Sequence, residues 1–170
     1  MNNTISTRGL VALIASMLSW GMANPFADMA LDAFIITQLL LLEISIGFAF
    51  VALYVLIKVR KLKLRWKIAL ALGLLEPGFT YLFGNIGYAN GTVSTGLIVM
   101  ATEVFFVAII GALFLKEKIS SRLAISILMG FFGVLLAVSG VSNSGVDNWL
   151  GVSAFTAAAI AASLYVIVAR

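Results

Sequence analysis

The chain has no cysteine and no histidine. The first absence excludes disulfides and thiol nucleophiles. The two together exclude the usual zinc sites and every Ser–His or Cys–His catalytic pair. Charge is scarce too: 11% of the 170 residues are Asp, Glu, Lys or Arg, where soluble domains carry about 25%. With 62% hydrophobic residues and a mean hydropathy of +1.14, the chain cannot cover a water-facing surface, and it reads as an integral membrane protein. No GxxxxGKS/T phosphate loop, no GxSxG and no HExxH occurs in it. No catalytic centre, no metal site and no cofactor is expected, and the chain does not read as an enzyme. Proton chemistry near neutral pH would fall to carboxylates.

What is present is a series of six apolar stretches: Gly9 to about Ala27, Ala33–Ile57, Trp66–Ala89, Val93–Leu115, Leu123–Val141 and Trp149–Ala169. Each approaches or exceeds the roughly 20 residues that a membrane-spanning helix needs and is about twice the length of a barrel strand. The spacing predicts an all-α membrane protein, a polytopic bundle of six transmembrane helices. The polar start, MNNTISTRG, is followed by further membrane segments rather than a soluble domain. The first apolar stretch is therefore read as a retained helix and not a signal peptide.

The basic residues orient the bundle. Arg8, the run of Lys58, Arg60, Lys61, Lys63, Arg65 and Lys67, the group Lys116, Lys118 and Arg122, and Arg170 account for all eleven Lys and Arg. Six crossings put every one of them on one side. Asp28, Asp32 and Asp147 occupy the loops of the other. The positive-inside rule then places both termini in the cytoplasm, in a multi-pass protein of the cell membrane. The Lys58–Lys67 run reads as a topology signal that also meets lipid headgroups. The bilayer is an expected partner, and nucleic acid is not.

Three acids lie inside the apolar stretches: Glu43, Glu76 and Glu103. Each is about ten residues from the start of its helix, roughly 15 Å along the axis and midway through a hydrocarbon core about 30 Å thick. No Lys or Arg shares that depth. Three carboxylates at one level cannot all stay ionised in a dry interior, so at least one holds a proton, or the site is wet or accepts a cation. Glu103, Glu76 and Glu43 are the candidates for proton or substrate binding. Taken singly, each also fits a protonated acid hydrogen-bonded between packed helices.

Gly73, Pro77, Thr80, Gly84, Gly87 and Gly91 fall on one helical face. Close packing of backbones accounts for that stripe, but not for Glu76 directly before Pro77. A proline there removes a backbone hydrogen bond, and the freed carbonyl is expected to line a cavity. Trp20 and Asn24 are four residues apart, as are Tyr81 and Asn85, and these four are the expected pocket lining. Tyr88 and Trp149 read as anchors at the membrane interface.

LIVMATEVFFVAIIGALFLKEKIS followed by ISILMGFFGVLLAVSG, and the opening GLVALIASMLSWGMANPFA, resemble the EamA-like domain of the drug/metabolite transporter superfamily. The match lies in a Glu-containing fourth helix, an acidic turn at Lys116-Glu117-Lys118, a Gly-rich fifth helix and a Trp-Gly pair in the first. Two departures stand out. Val104 follows the helix-four acid where many members have Pro, and Glu43 stands near the position of an Arg in many members, so a substrate class does not carry over.

The resemblance implies a ten-helix transporter built from two inverted five-helix repeats. Gly9, Ala12 and Ala15 align with Gly151, Ala154 and Ala157. Residues 1–142 then form one repeat, and 143–170 the first helix of a second, truncated one. The implied activity is secondary transport of small metabolites, as efflux of amino-acid-like or other small organic compounds coupled to protons. The rival expectation is a non-transporting fragment or subunit. It would need a missing C-terminal repeat, a homo-oligomer or another partner chain to close a pathway. A small multidrug exporter, with four helices and a dominant acid in the first, fits less well, because the first apolar stretch holds no acid.

Overall fold

The structure is a computed structural model that describes residues 6–59, 65–116, 118–139 and 148–169. Arg60, Lys61, Lys63, Glu117, Asp147 and Arg170, used above for orientation and for the acidic turn, lie outside the described residues, as does the 142/143 boundary. The described chain is helical: α1 (Thr7–Ala30), α2 (Ile36–Lys58), α3 (Trp66–Gly73), α4 (Thr80–Asn90), α5 (Val93–Ala101), α6 (Glu103–Phe114), α7 (Ser121–Ser139) and α8 (Trp149–Val168).

Short polar residues open the helices. The side chains of Ser6, Thr92, Ser120 and Asn148 each accept a backbone N–H at 3.2 Å, from Gly9, Thr95, Leu123 and Leu150 respectively. Each thereby satisfies one of the orphan donors at a helix start. At α2 the bond runs the other way, the Ile35 N–H donating to Gln38 Oε1 at 3.3 Å.

Gly9–Ala30, Ile36–Lys58, Val93–Phe114 and Trp149–Val168 are each long and apolar enough to cross a membrane. The other two expected crossings are α7 and the interrupted pair α3–α4. The chain is a polytopic helical membrane protein. Large apolar side chains point outward along α1, α2, α6 and α7. Leu56 is 81% exposed and Phe48 72% exposed, which suits contact with lipid and not with water. The first helix runs past the expected end at Ala27, and Asp28 lies in its last turn rather than in a loop.

The centre of the bundle is α8, packed against α4, α5 and α6. Its buried face is small: Ala154, Ala158, Ala159, Ala161, Ala162 and Ser163. Phe155, wholly buried, wedges between Gly87 and Gly96, where an added Cβ would come within 2.5 Å and 2.8 Å of its ring. Tyr88 meets Phe155 edge-on, with ring centroids 4.9 Å apart. It is a buried core side chain, not the interface anchor its position suggested, whereas Trp149 is 83% exposed. At the N-terminus of α8 the Asn148 N–H donates to the Asn90 carbonyl at 3.0 Å, which pins the start of α8 to the end of α4.

Candidate functional site

One helical run is broken at mid-length beside an acid, and a second, continuous run tightens by one residue beside another. Between α3 and α4 the chain passes through Leu74–Phe79, where Glu76 adopts extended dihedrals (φ −143°, ψ 122°) before Pro77. A residue preceding proline is pushed out of the helical region, so the break goes further than a kink. The Leu75 carbonyl at the break accepts the Thr80 hydroxyl at 2.9 Å. Between α5 and α6 the chain turns at Thr102, whose hydroxyl donates to the Val99 carbonyl at 2.6 Å, with Glu103 next in sequence. Irregular backbone at membrane depth persists only where it is buried in protein or lines a cavity.

A cavity of about 90 Å³ lies among α1, α2, α4 and α8. Trp20 and Asn24, one helical turn apart on α1, line it together with Tyr81 and Asn85, one turn apart on α4. Glu43 reaches it from α2 and Tyr88 from α4. Asn85, only 3% exposed, donates from Nδ2 to Glu43 Oε2 at 2.9 Å. This bond ties α2 to α4, and a typical hydrogen bond of this kind contributes about 0.5–1.5 kcal/mol. The sequence did not reveal which way Glu43 faces. The signal lay in Asn85, a buried amide that needs a partner and whose partner at the same depth is an acid.

Two larger spaces adjoin this cavity through shared lining residues. A chamber of about 530 Å³ is bounded by Glu43, Tyr81, Glu76 and Pro77 and is open to the bundle surface along the outward-facing Phe48 and Val51. A vestibule of about 440 Å³ is bounded by Asp28, Asp32 and Tyr88. Glu43 and Tyr81 line both chamber and cavity, and Tyr88 lines both cavity and vestibule. Among the described residues, no Lys or Arg lines any of the three spaces.

Glu103 lines none of these three spaces. It lines a separate space of about 350 Å³ with Ala108, Lys118, Ile127 and Val166. Its backbone carbonyl accepts the Ser163 hydroxyl of α8 at 3.1 Å. The structure thus brings Glu43 and Glu76 to one chamber and leaves Glu103 outside it. Among the described residues no three acids gather closely enough to hold a metal ion.

A broken helix beside carboxylates that line connected spaces, inside a polytopic helical bundle, defines the class: a membrane protein with acids set among its spanning helices. The chain matches the EamA-like transporter family over residues 7–139, and it belongs to that family. It is also similar to an uncharacterized transporter of Archaeoglobus fulgidus, at 23% identity over 158 residues, 91% of this chain and 55% of that protein. The chain therefore spans about half the length of the curated relative that it matches. No solved structure matches it.

Proposed function

We propose that the chain forms a substrate-binding bundle of a secondary transporter that moves small organic molecules out across the cytoplasmic membrane, driven by the proton gradient. The observation that carries this reading is the pair Glu43 and Glu76. They come from different helices and line one chamber at a broken helix, with no basic side chain lining it among the described residues. Discontinuous helices near the bilayer midplane are where secondary transporters place substrate and coupling-ion sites. In this reading residues 1–142 are one repeat and 143–170 open a second.

Glu76 and Glu103 are the proposed proton carriers. Protonation of either removes a buried charge and so changes how much water its surroundings hold. Glu76 sits in a backbone break, where such a change can be passed to the angle between helix halves, and Glu103 lies on the span whose backbone carbonyl meets α8. A second reading, in which the pathway closes only with helices from a longer chain, a second copy or another subunit, is favoured by the 55% coverage of the relative.

Flux in reconstituted vesicles tests both readings. Transport of a panel of small amines and amino acids by the 170-residue chain should collapse when the pH gradient is dissipated. Glu103→Gln and Glu76→Gln should each lower coupled flux at least tenfold with insertion unchanged. Full flux in both variants would remove the coupling role. Absence of flux from a correctly inserted chain would favour the second reading.

A further inference from the structure

We infer that the substrate of this passage is an organic cation, an amine or quaternary ammonium with an apolar body, whose charged head sits in the Trp20–Glu43–Tyr81 cavity and whose body lies in the adjoining Glu76 chamber. The inference rests on the transport reading above and names the substrate class for the same site.

Charge carries the first step. The vestibule, the cavity and the chamber present Asp28, Asp32, Glu43 and Glu76 in succession, and among the described residues no Lys or Arg lines them. A cation moving outward through these spaces meets carboxylates at every stage and leaves past Asp28 and Asp32. A carboxylate-bearing ligand, an amino acid included, would bring its anionic end into the same surroundings with no basic side chain to pair with. Leaving an ion unpaired at that depth is what a membrane interior penalises most.

Shape and ring chemistry carry the second step. A cavity of about 90 Å³ is well below the roughly 300–1,000 Å³ of sites for whole drug-sized ligands, so it suits a head group. Its wall carries Trp20, Tyr81, Tyr88 and Phe155 beside Glu43, and aromatic rings around a counter-charge are a setting in which ammonium ions are recognised. Asn85 grips Glu43 Oε2 at 2.9 Å, which holds the carboxylate in place before a ligand arrives. Across Glu43 and Tyr81 the chamber of about 530 Å³ is mostly apolar and is large enough for the rest of the molecule.

The test is equilibrium binding to the full 170-residue chain in lipid nanodiscs. The probes are benzyltrimethylammonium, its neutral carbon isostere neopentylbenzene, phenylalanine and 3-phenylpropionate. Benzyltrimethylammonium should bind saturably, with phenylalanine and 3-phenylpropionate at least tenfold weaker. Glu43→Gln should weaken the cation at least tenfold and the neutral isostere by less than twofold. Glu43→Asp, which keeps the charge, should retain the order of preference, and helical circular dichroism with monodisperse elution confirms that both variants fold. Equal binding of cation and anion, or cation affinity unchanged in Glu43→Gln, would overturn the proposal. Flux separates the two levels: cation binding without flux upholds the pocket and overturns transport by the 170-residue chain alone, whereas proton-coupled flux of phenylalanine but not of the cation upholds that transport and overturns the pocket.

Discussion

Gly151 and Gly84 are both helical glycines, yet their surroundings assign them opposite roles. A Cβ at Gly151 would lie 2.5 Å from the Asn90 carbonyl oxygen and 2.9 Å from the Gly91 nitrogen. Both are backbone atoms, which cannot swing aside as a side chain can. At Gly84 nothing lies within 4 Å of the added carbon. Overpacking of a close contact costs about 1–3 kcal/mol, while Ala in place of a helical Gly gains up to about 1 kcal/mol. Gly151→Ala should therefore lower the melting temperature of the detergent-solubilised chain, and Gly84→Ala should leave it unchanged or raise it. Equal effects at the two positions would mean that α8 is not seated on the end of α4 as described. Residue by residue, the site was partly legible. Trp20 with Asn24 and Tyr81 with Asn85 could be paired from helical spacing alone, and all four line the cavity. Glu43 could not be oriented, because the other small polar residues of α2, Thr37, Gln38 and Ser45, do not share its helical face and the rest of the helix up to Lys58 is apolar around its circumference. In a bilayer the lipid is as apolar as the protein interior, so hydrophobic periodicity does not mark the inward face.

At the scale of the element, the break at Glu76 is where sequence and geometry meet most directly. Proline was visible, and with it the loss of one hydrogen bond. What the sequence left open was the depth of the disruption, since a proline can kink a helix or end it. The outcome turned on Thr80, whose hydroxyl takes up the Leu75 carbonyl and whose N–H also reaches Leu75 and Pro77 carbonyls. In an uninterrupted helix the Leu75 carbonyl would accept the N–H of Phe79, and the hydroxyl would not be needed there. Thr80→Val, which keeps the shape and removes the donor, should cost about 0.5–1.5 kcal/mol in the parent chain. In a Pro77→Ala background, where Glu76 is free to become helical, the same change should cost close to nothing. Thermal unfolding of the four combinations reads this coupling. Additive effects would show that the hydroxyl contributes independently of the break.

The bundle as a whole combines legible boundaries with a centre that was not legible. Helix starts at Ser6, Thr92, Ser120 and Asn148 follow from cap chemistry, and the apolar lengths fix the spans within a few residues. The seating of α8 at the core was hidden. Its buried face is mostly alanine, which excludes no environment, and the Phe155 wedge depends on glycines in two other helices. The arrangement across the membrane is nonetheless open to a direct test, because the chain has no native cysteine and a single introduced thiol is its only reactive one. Among the described residues, the chain between Ala33 and Lys118 runs through α2, the broken α3–α4 pair and the α5–α6 span, and between Lys118 and Trp149 through α7. If each of these crosses once, the number of crossings is odd in both intervals. Lys118 then lies on the opposite side from Ala33 and Trp149. The positive-inside rule, applied to the basic residues at the end of α2 and around the start of α7, predicts Lys118 on the cytoplasmic side. An impermeant maleimide added to intact cells should label Ala33→Cys and Trp149→Cys and reach Lys118→Cys only after permeabilisation. Labelling of Ala33→Cys and Lys118→Cys from the same side would mean that one of the three intervening segments turns back within the bilayer. The α3–α4 pair, broken at Glu76, would be the first suspect, and Glu76 would then lie at the tip of a re-entrant loop instead of midway along a crossing.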